Sequence, residues 1–554
     1  MIMNIISGVM VFFLLVSGDV EAKNNAAQEA DVDRLFQEVA GGDMPGCAVG
    51  VFGQGRTLFL KGYGMASLEQ DRSITPQSLF TLGSTSKQFA AAAIGMAELE
   101  GLLSLDDDVR KYIPELPDYR PDSEKAITIR QLIYHTSGLR DYLSLRWIMG
   151  LPPENSYSND WVMALIARQK DLNFTPGDHY SYSNSGYFLL GEIIKRATGK
   201  TLNDYSREKL FLPLGMKNTH FHDDRRAVHK NRTMAYLKAP DGRPQLEWYP
   251  NFDKVGAGGL MTSAEDLLLW EKNFHADQLA GGRLISLMMS PGALASGAPS
   301  NYGFGLIHGK MAGLALVKHR GAYMGYRAQI LRFPDQKLSI FLMCNLGNLR
   351  PEKLAEQVAQ IFLPELLKKQ SAKVITAEPG RDLTRYEGSY RDIESRYILS
   401  FKAQEDALQV LGAPFPLSLI PVADQGFVAN AGPVDVDVLH LPARQVFKIT
   451  IGGLFAGDYE KVDLATPSCD ELDAYRGRYY SAELNYIFRL SVQQCRLFLE
   501  REDMPPLALN ASTKDAFRSG MLALEFERKG GGEVTSLKVS SLRVHQVTFE
   551  KEGL

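Results

Sequence analysis

The sequence predicts an α/β domain with an antiparallel sheet, flanking helices and a helical subdomain, followed by two small all-β, barrel-like domains. Two observations favour this division of the 554 residues. Strand patterns lie at both ends of residues 23–369 with helical patterns between them, and residues 381–554 contain an internal repeat. The length agrees, because a chain of this size is expected to fold as three or four domains.

Residues 1–22 predict a secretory signal. The run from Ile5 to Val16 is apolar but too short to span a bilayer. Val20-Glu21-Ala22 then has the small residues of a cleavage site. No Lys or Arg precedes the run, so an uncleaved N-terminal anchor stays open as the alternative. On the first interpretation the protein is exported, periplasmic or secreted, and the mature chain has no membrane span.

The next elements lead to a serine at a helix end. Gly46 to Phe52 and Thr57 to Gly64 predict a β-hairpin. Ser84 and Lys87 then open an alanine-rich helix that is expected to stop near Gly101. A spacing of three places a hydroxyl and an amine on one helix face. A buried lysine can lose its proton near neutral pH, and a helix end offers N–H groups to a developing anion. Ser206-x-x-Lys209 has the same spacing, so the tetrapeptide alone identifies nothing.

Helices and strands then follow in an order that suits a sheet with a helical insertion. Further helical and strand patterns lie at Thr128–His135, Trp161–Lys170, Ser185–Ala197 and Ala264–Phe274 (helices), Leu314–His319, Arg327–Phe333 and Leu338–Cys344 (strands), and Pro351–Lys369 (a closing helix). Thr262-Ser263-Ala264-Glu265 predicts the cap of the fourth helix.

Beyond a linker at residues 370–380, two halves of the remaining chain repeat each other. Tyr386, Tyr390, Tyr397 and Leu408 recur 89 residues later as Tyr475, Tyr479, Tyr486 and Leu497. Both copies contain short alternating strands with Gly, Pro or Asp turns. The repeats therefore predict two barrel or sandwich domains, at residues 381–466 and 467–554.

Charge, cysteines and histidines restrict the function classes. A net charge of −4 favours no nucleic-acid or anionic-membrane partner. The four cysteines have no zinc-like spacing, and buried free thiols are expected, with a Cys469–Cys495 bond as the alternative. His220-x-His222 has no third ligand at useful spacing, so the sequence predicts neither a metal nor a cofactor.

Two further segments have the residue types that a serine nucleophile needs. Tyr182 and Asn184 lie two apart in a loop before a helix, and His319 precedes Gly321 on a strand. Tyr-Ser-Asn occurs also at Tyr157, where Asn159 is expected to cap a helix.

Taken together, Ser84-x-x-Lys87, Tyr182-Ser183-Asn184 and His319-Arg320-Gly321 resemble the three active-site motifs of the penicillin-recognising serine hydrolases. This family includes class C β-lactamases, D,D-peptidases, D-aminopeptidases and related esterases. The segments Leu132–Leu139, Pro176-Gly177, Gly258–Leu260 and Gly325-Tyr326 match as well, so the resemblance covers about residues 40–365. It favours Tyr182 over Tyr157, because Tyr182 follows the Pro-Gly turn.

The resemblance implies a role for each residue. Ser84 would be the nucleophile, with Lys87 and Tyr182 as the proton-transfer pair. Asn184 would bind the substrate's amide carbonyl, and the N–H groups of Ser84 and Ala322 would form the oxyanion hole beside Gly321. His319 stands where β-lactamases commonly have lysine, so the resemblance makes hydrolysis of β-lactam antibiotics a less favoured function. Arg320 should point away from His319 by strand alternation.

The expected function is a metal-free serine hydrolase that acts on a small peptide or amide through an acyl-enzyme on Ser84, D-aminopeptidase-like or D,D-peptidase-like. A carboxylesterase, a weak β-lactamase and a non-catalytic binder of peptidoglycan fragments remain as alternatives. The resemblance also implies a barrel loop that limits the substrate to a free amino end, with Phe455–Tyr459 and Glu502–Pro506 as candidates. The sequence predicts no oligomeric state.

Overall fold

The computed structural model describes residues 26–37, 40–41, 43–119, 126–152, 155–247, 255–366, 381–412, 417–422, 426–431, 436–441, 446–451 and 455–553. The predicted signal at 1–22 and the predicted linker at 370–380 lie outside these residues. The described residues form two compact units. The first unit takes them from Met1–Leu99, Leu202–Met289 and Gly305–Lys373, and the second takes them from Glu100–Thr201, Ser290–Phe304 and Val374–Leu554. The helical insertion thus groups with the barrels, and the domain boundaries stay a prediction.

An antiparallel sheet forms the centre of the first unit, as the sequence predicts. Its strands lie in the spatial order Leu306–Met311, Leu314–Tyr323, Tyr326–Phe333, Leu338–Cys344, Cys47–Gly53 and Arg56–Tyr63. The N-terminal hairpin therefore pairs with the last strand of the domain, in a register that places Cys47 opposite Cys344. Distant parts of the chain are joined through this central pair of strands.

Helices cover both faces of this sheet. On one face, helix 26–37 and helix Pro351–Phe362 bury Val32, Phe36 and Val358 against the strands. Full burial of each such side chain stabilises the fold by about 1.5–3 kcal/mol. The closing helix Pro351–Phe362 is interrupted at Leu363, because Leu363 precedes Pro364 and a residue before proline disfavours helical dihedrals. Glu365 and Leu366 are helical again, and the predicted end at residues 367–369 lies outside the described residues.

The other helices of the first unit include the nucleophile helix Lys87–Leu99 and the helix Ala264–Ala276. The first is buried all round, and its run of four alanines allows close packing on every side. The second begins as predicted, since the Ser263 hydroxyl accepts a hydrogen bond from the Asp266 N–H at 3.2 Å. Shorter helical segments lie at Gly83–Ser86, Leu202–Ser206, Arg207–Phe211, Leu212–Leu214, Ala280–Gly282 and Arg283–Met288.

Short strands complete the first unit. One small sheet brings Phe80–Thr81, Leu260–Thr262 and His220–Phe221 side by side, with Leu260–Thr262 in the middle. Two further hairpins pair Met65–Ser67 with Arg72–Ser73 and Tyr236–Lys238 with Pro244–Leu246. The small sheet is the one that leads the chain into Ser84.

The helical part of the second unit follows the predicted order. Its segments are Val109–Lys111, Ile129–Ile133, Tyr142–Met149, Asn159–Ala167 and Asn184–Thr198, with a short strand pair Gly292–Ala293 and Pro299–Ser300. Ser158, not Asn159, caps the helix Asn159–Ala167, because the Ser158 hydroxyl accepts a hydrogen bond from the Trp161 N–H at 3.0 Å.

The two repeats are closed antiparallel barrels, which confirms the β architecture of this region. The strands of the first barrel are Gly388–Asp392, Ile398–Gln404, Ala407–Leu411, Leu417–Pro421, Gly426–Ala431, Val436–Leu441, Val446–Ile451 and Phe455–Val462. Those of the second are Gly477–Ser481, Tyr486–Gln493, Arg496–Glu500, Leu507–Ala511, Ala516–Ser519, Leu522–Arg528, Val534–Ser541 and Val544–Lys551. Short helical turns Thr384–Tyr386, Cys469–Asp473 and Lys529–Gly531 accompany them.

The same hydrogen bond recurs in both barrels and explains the repeated tyrosines. The Tyr390 hydroxyl donates to the Tyr386 carbonyl at 3.0 Å, and the Tyr479 hydroxyl donates to the Tyr475 carbonyl at 2.9 Å. These four side chains are buried. Each hydroxyl is therefore satisfied inside an apolar core, where an unpaired polar group would cost about 1–3 kcal/mol.

The expectation of free thiols is wrong. Cys47 pairs with Cys344, and Cys469 pairs with Cys495. The first bond joins residues that are 297 positions apart, and sequence spacing could not reveal it because the sheet register creates the contact. The second is the pairing that the sequence left as an alternative.

Among the described residues, no helix is long and apolar enough to cross a bilayer.

Candidate active site

Ser84 lies in a tight turn between a short strand and a buried helix. The turn Gly83–Ser86 is a 3-10 helix that continues directly into Lys87–Leu99. Gly83 has φ +53°, and a Cβ on it would lie 2.6 Å from the Ala322 nitrogen. On the facing strand, a Cβ on Gly321 would lie 1.8 Å from the Leu82 carbonyl oxygen. Both glycines are required for this close approach, which brings the Ala322 backbone beside the residue preceding Ser84.

Lys87 is fully buried under this turn and faces Ser84. Its ammonium nitrogen donates to the Ser84 hydroxyl oxygen at 3.3 Å and to the Ala257 carbonyl at 2.7 Å. Lys209 of the second Ser-x-x-Lys sequence has a different environment, because its side chain is 28% exposed and lies 3.5 Å from Glu208. Burial therefore distinguishes the two sequences.

A network of buried polar groups fixes the start of the nucleophile helix. The Gln88 side-chain oxygen accepts from the Trp270 indole at 2.9 Å and from the Arg332 guanidinium at 2.7 Å. Arg332 also forms a two-pronged ion pair with Glu271, at 2.7 and 2.6 Å. Charged groups at this depth need close pairing of this kind. The network holds the helix that carries Lys87 against the sheet.

His319 is buried next to Lys87 on the strand that carries Gly321. Its Nδ1 lies 2.7 Å from the Arg320 carbonyl, which makes Nδ1–H the donor and leaves Nε2 as the acceptor. Burial, and next the positive charge of Lys87, lowers the pKa of His319 to about 3. The imidazole is therefore neutral at pH 7. Arg320 points the other way, 3.7 Å from Glu352, as strand alternation predicts. We call Ser84, Lys87, His319, Gly321 and Ala322 the serine half.

Tyr182 and Asn184 lie in the second unit, which we describe by itself. The Tyr182 ring is buried and packs on the His135 ring with centroids 4.3 Å apart. His135 also contacts Tyr187 and Tyr302, at 5.0 and 4.5 Å. Its Nδ1 accepts a hydrogen bond from the Ser183 N–H at 3.2 Å. His135 therefore supports both the ring and the backbone of the Tyr-Ser-Asn segment.

Asp141 orients Asn184. One carboxylate oxygen accepts from the Asn184 N–H at 2.7 Å and from its side-chain amide at 2.9 Å. The other oxygen accepts from Ser144, at 3.0 Å from the backbone nitrogen and 2.8 Å from the hydroxyl, which caps the helix Tyr142–Met149. Asp141 thus joins a helix N-terminus to the amide that the sequence predicts to bind substrate.

A turn of the second barrel reaches the same place. The Arg543 guanidinium lies 4.9 Å from the centre of the Tyr182 ring. The Arg543 carbonyl accepts from the Asp141 N–H at 3.3 Å and from the Asn173 side chain at 3.0 Å. Nearby, Arg140 forms a buried ion pair with Glu483 and donates to the His545 carbonyl at 3.0 Å. We call Tyr182, Asn184, His135, Asp141 and Arg543 the tyrosine half.

Sequence reasoning did not assign roles to three of these residues. His135 and Asp141 lie in or just after the matched segment Leu132–Leu139, so their signal was position beside a recognised motif. Arg543 carried no signal, because it is an ordinary basic residue in a hairpin turn. Neither candidate loop is the turn that contacts Tyr182. Phe455–Tyr459 lies in the strand Phe455–Val462, and its residues Gly457, Asp458 and Tyr459 line a cavity beside Tyr180 and Ser181.

Comparison with known proteins identifies the family. The family model described as Beta-lactamase matches residues 32–361. The chain belongs to the Beta-lactamase family. The D-aminopeptidase of Brucella canis is 30% identical over 384 residues, which are 68% of this chain and 68% of that protein. The D-aminopeptidase of Brucella anthropi is 27% identical over 554 residues, covering 95% of this chain and 99% of that protein.

The fold also resembles that of the octameric penicillin-binding protein homologue from Pyrococcus abyssi, with a TM-score of 0.55 and 21% identity. That match covers 86% of this chain and 98% of the other. The Beta-lactamase family membership and the buried Ser84–Lys87 pair make this chain a serine hydrolase.

Outside this site, the expectation that His220-x-His222 has no third potential metal ligand is wrong. His229 lies seven residues after His222, and its ring stacks on that of His220 with centroids 3.9 Å apart. A third potential ligand therefore does join His220-x-His222, through a loop that returns to the strand.

Proposed function

We propose that this serine hydrolase is an amidase of the D-aminopeptidase type, which releases an amino acid with a free amino group from the N-terminus of a small peptide or amide. The contact of Arg543 with the Tyr182 ring carries this proposal, because it joins a barrel domain to the segment of the predicted proton-transfer residue. The D-aminopeptidase of Brucella anthropi, matched over 95% of this chain, is similar through the barrels as well.

The proposed chemistry follows from the residues of the two halves. The Ser84 oxygen attacks the substrate carbonyl in the enzyme form whose Lys87 amine is neutral. Its single proton passes to that amine and is relayed through Tyr182, which we propose as the transfer pair. Negative charge develops on the carbonyl oxygen, where the N–H groups of Ser84 and Ala322 would donate. The C–N bond breaks, the amine leaves with that proton, and water then hydrolyses the ester on Ser84. Neutral His319 would accept, rather than donate, through Nε2.

A cavity in the second unit supports selection for a cationic substrate end. Its volume is about 350 Å³, and it lies beside Tyr180 and Ser181, which precede Tyr182. Asp392, Glu394 and Asp458 line it together with Lys448, so carboxylates predominate. We propose that an ammonium group of the substrate is attracted to these carboxylates.

A substrate panel on the full-length protein tests the proposal. We expect hydrolysis of D-aminoacyl anilides, with N-acetylated and L-configured anilides at least about 10-fold slower in kcat/KM, a difference of about 1.4 kcal/mol. Ester and β-lactam arms belong in the same assay. A preference for esters over the matched amides, or for the N-acetylated substrates, contradicts the aminopeptidase assignment. A covalent serine probe that labels neither wild type nor Ser84→Ala would favour the non-catalytic binder.

We also propose that the protein is exported. The two disulfides support this, because stable disulfides form mainly in oxidising compartments. N-terminal sequencing of the protein from the cell exterior or periplasm is the test. A chain that starts near residue 23 is expected, and a chain that retains Met1 contradicts cleavage.

A further inference from the structure

Three histidines converge at the edge of the small sheet in the first unit. His220 lies on the strand His220–Phe221, His222 follows it, and His229 returns to it at the end of a loop. Their ligand nitrogens all lie within 4.8 Å of one another. Ring centroids are 3.9 Å apart for His220 and His229, 5.3 Å for His222 and His229, and 6.2 Å for His220 and His222.

The ring orientations resemble those of metal-binding histidines. The His220 Nδ1 lies 3.3 Å from the Asn218 carbonyl, so Nδ1–H is the donor and Nε2 carries the lone pair. This kind of contact, a ring N–H donated to a carbonyl, fixes the tautomer in many metal sites. Within the described part of the chain, the Nε2 atoms of His220 and His229 are buried and have no hydrogen-bond partner. A buried nitrogen without a partner is costly unless something binds it.

Two charged side chains bear on a cation at this cluster. Arg232 interacts with the His229 ring and would repel a cation, whereas the Asp224 carboxylate interacts with His222 and would attract one.

We propose that His220, His222 and His229 bind one divalent transition-metal ion of the zinc class through three imidazole nitrogens. Imidazole suits zinc, cobalt, nickel and copper, whereas magnesium and calcium require oxygen ligands. Three histidines leave a fourth position for water. Metal–nitrogen bonds of about 2.0–2.1 Å would place the nitrogens about 3.3 Å apart, so the rings would move together by about 1 Å on binding.

The ion would stabilise the segments that hold the serine half. The His222 N–H donates to the Gly259 carbonyl at 2.8 Å, two residues from Ala257, whose carbonyl binds Lys87. On the other side, Asn231 and Thr233 flank Leu79, which precedes the strand into Ser84. A metal ion bound by His220 and His229 would therefore link the two ends of the segment 220–229. One end is hydrogen-bonded near Ala257, and the other continues to the residues that pair with Leu79, just before Ser84. The ion would act as a structural clamp, separate from the acyl chemistry.

The test is cobalt(II) titration of the full-length protein after chelator treatment and dialysis. We expect one equivalent of Co²⁺ to produce the visible d–d absorption of a four-coordinate site, Zn²⁺ to displace it, and Zn²⁺ to raise the melting temperature. In His229→Gln, cobalt affinity should fall by about 100-fold or more, because the substitution removes a metal ligand. Loss of a contact that only supports a ligand typically lowers the affinity by about 10–100-fold. His308→Gln is the matched control, because His308 is a part-buried histidine of the same unit outside the cluster.

The outcomes separate this proposal from the proposed function, because binding is measured without substrate. Equal cobalt binding by wild type and His229→Gln, or no binding by a folded wild type, overturns the metal site while leaving the hydrolase intact. If His229→Gln does not fold, His222→Gln replaces it, and an unchanged metal-free melting temperature shows that the variant is folded. Absorption spectra of six-coordinate cobalt in both wild type and His229→Gln also count against the three-histidine site.

Discussion

The serine half and the tyrosine half are built in different ways. In the serine half, Ser84 and Lys87 are three residues apart, and a single facing strand supplies His319, Gly321 and Ala322. In the tyrosine half, Tyr182 and Asn184 depend on His135, Asp141 and Arg543, which come from two other parts of the chain. The nucleophile and its lysine are therefore neighbours in sequence, whereas the residues that support the Tyr-Ser-Asn segment come from distant parts of the chain.

The largest expected effect lies in the serine half. Ser84→Ala should lower kcat by at least about 10⁴-fold, since no other group can form the acyl-enzyme. Lys87→Met should lower kcat by about 10²–10⁴-fold, because the group that takes the proton is removed. Steady-state kinetics on the best anilide substrate, with covalent probe labelling, measures both.

The control for this prediction is Lys209→Met. It removes the lysine of the second Ser-x-x-Lys sequence, whose side chain is partly exposed. Its kcat should equal that of wild type. A loss of activity in Lys209→Met comparable to that in Lys87→Met would show that spacing, rather than burial, identifies the active pair.

A smaller effect is expected from the support of Asn184. Asp141→Asn weakens two hydrogen bonds to a carboxylate, each worth about 1.5–3 kcal/mol, so kcat/KM should fall by about 10–100-fold. The melting temperature should fall as well, because the helix cap is weakened. Steady-state kinetics and a thermal melt measure the two effects.

Ser144→Ala separates the two roles of Asp141. It removes the hydroxyl that donates to the other carboxylate oxygen but leaves the bonds to Asn184. The melting temperature should fall slightly while kcat/KM is retained. Equal losses of kcat/KM in Ser144→Ala and Asp141→Asn would mean that Asp141 acts only through the helix.

A still smaller effect is expected from the barrel turn. Arg543→Ala removes a cation–π contact worth about 0.5–2 kcal/mol, so kcat/KM for D-aminoacyl anilides should fall by about 2- to 30-fold. The ratio of kcat/KM for D-aminoacyl anilides to kcat/KM for N-acetylated anilides should also become smaller. Arg501→Ala is the control, because Arg501 contacts the Trp147 carbonyl and not Tyr182. Identical substrate profiles of both variants would remove the barrel from substrate selection.

The smallest effect concerns pH and the serine half. The pKa of His319 is lowered to about 3 in the folded protein, whereas an unfolded histidine titrates near pH 6.5. Between these values the unfolded state binds more protons, so the free energy of unfolding falls as the pH falls from about 6.5, by about 1 kcal/mol per pH unit. His319→Gln should lack this component. Urea unfolding at pH 7, 6 and 5 measures the difference, and parallel curves would contradict it.

Much of the fold was accessible from the sequence because its signals are periodic. The hairpin at Cys47–Gly53 and Arg56–Tyr63, the strands up to Cys344 and the repeated barrel tyrosines were all predicted from alternation or from a constant shift. The closing helix was predicted without its break at Leu363, because the apolar pattern continues across the proline that interrupts the helix. The thiols were predicted free, since a bond across 297 residues leaves no pattern.

The reactive groups could be predicted from the sequence, as Ser84 with Lys87, the Tyr182 segment and the His319 strand, because their order and spacing are features of the chain. Four other features appear only in the folded protein: which Ser-x-x-Lys pair is buried, the contact of Asp141 with Asn184, the contact of Arg543 with Tyr182, and the approach of His229 to His220 and His222. Chemical identity is written residue by residue, whereas burial and contact depend on which distant surfaces the packed core brings together.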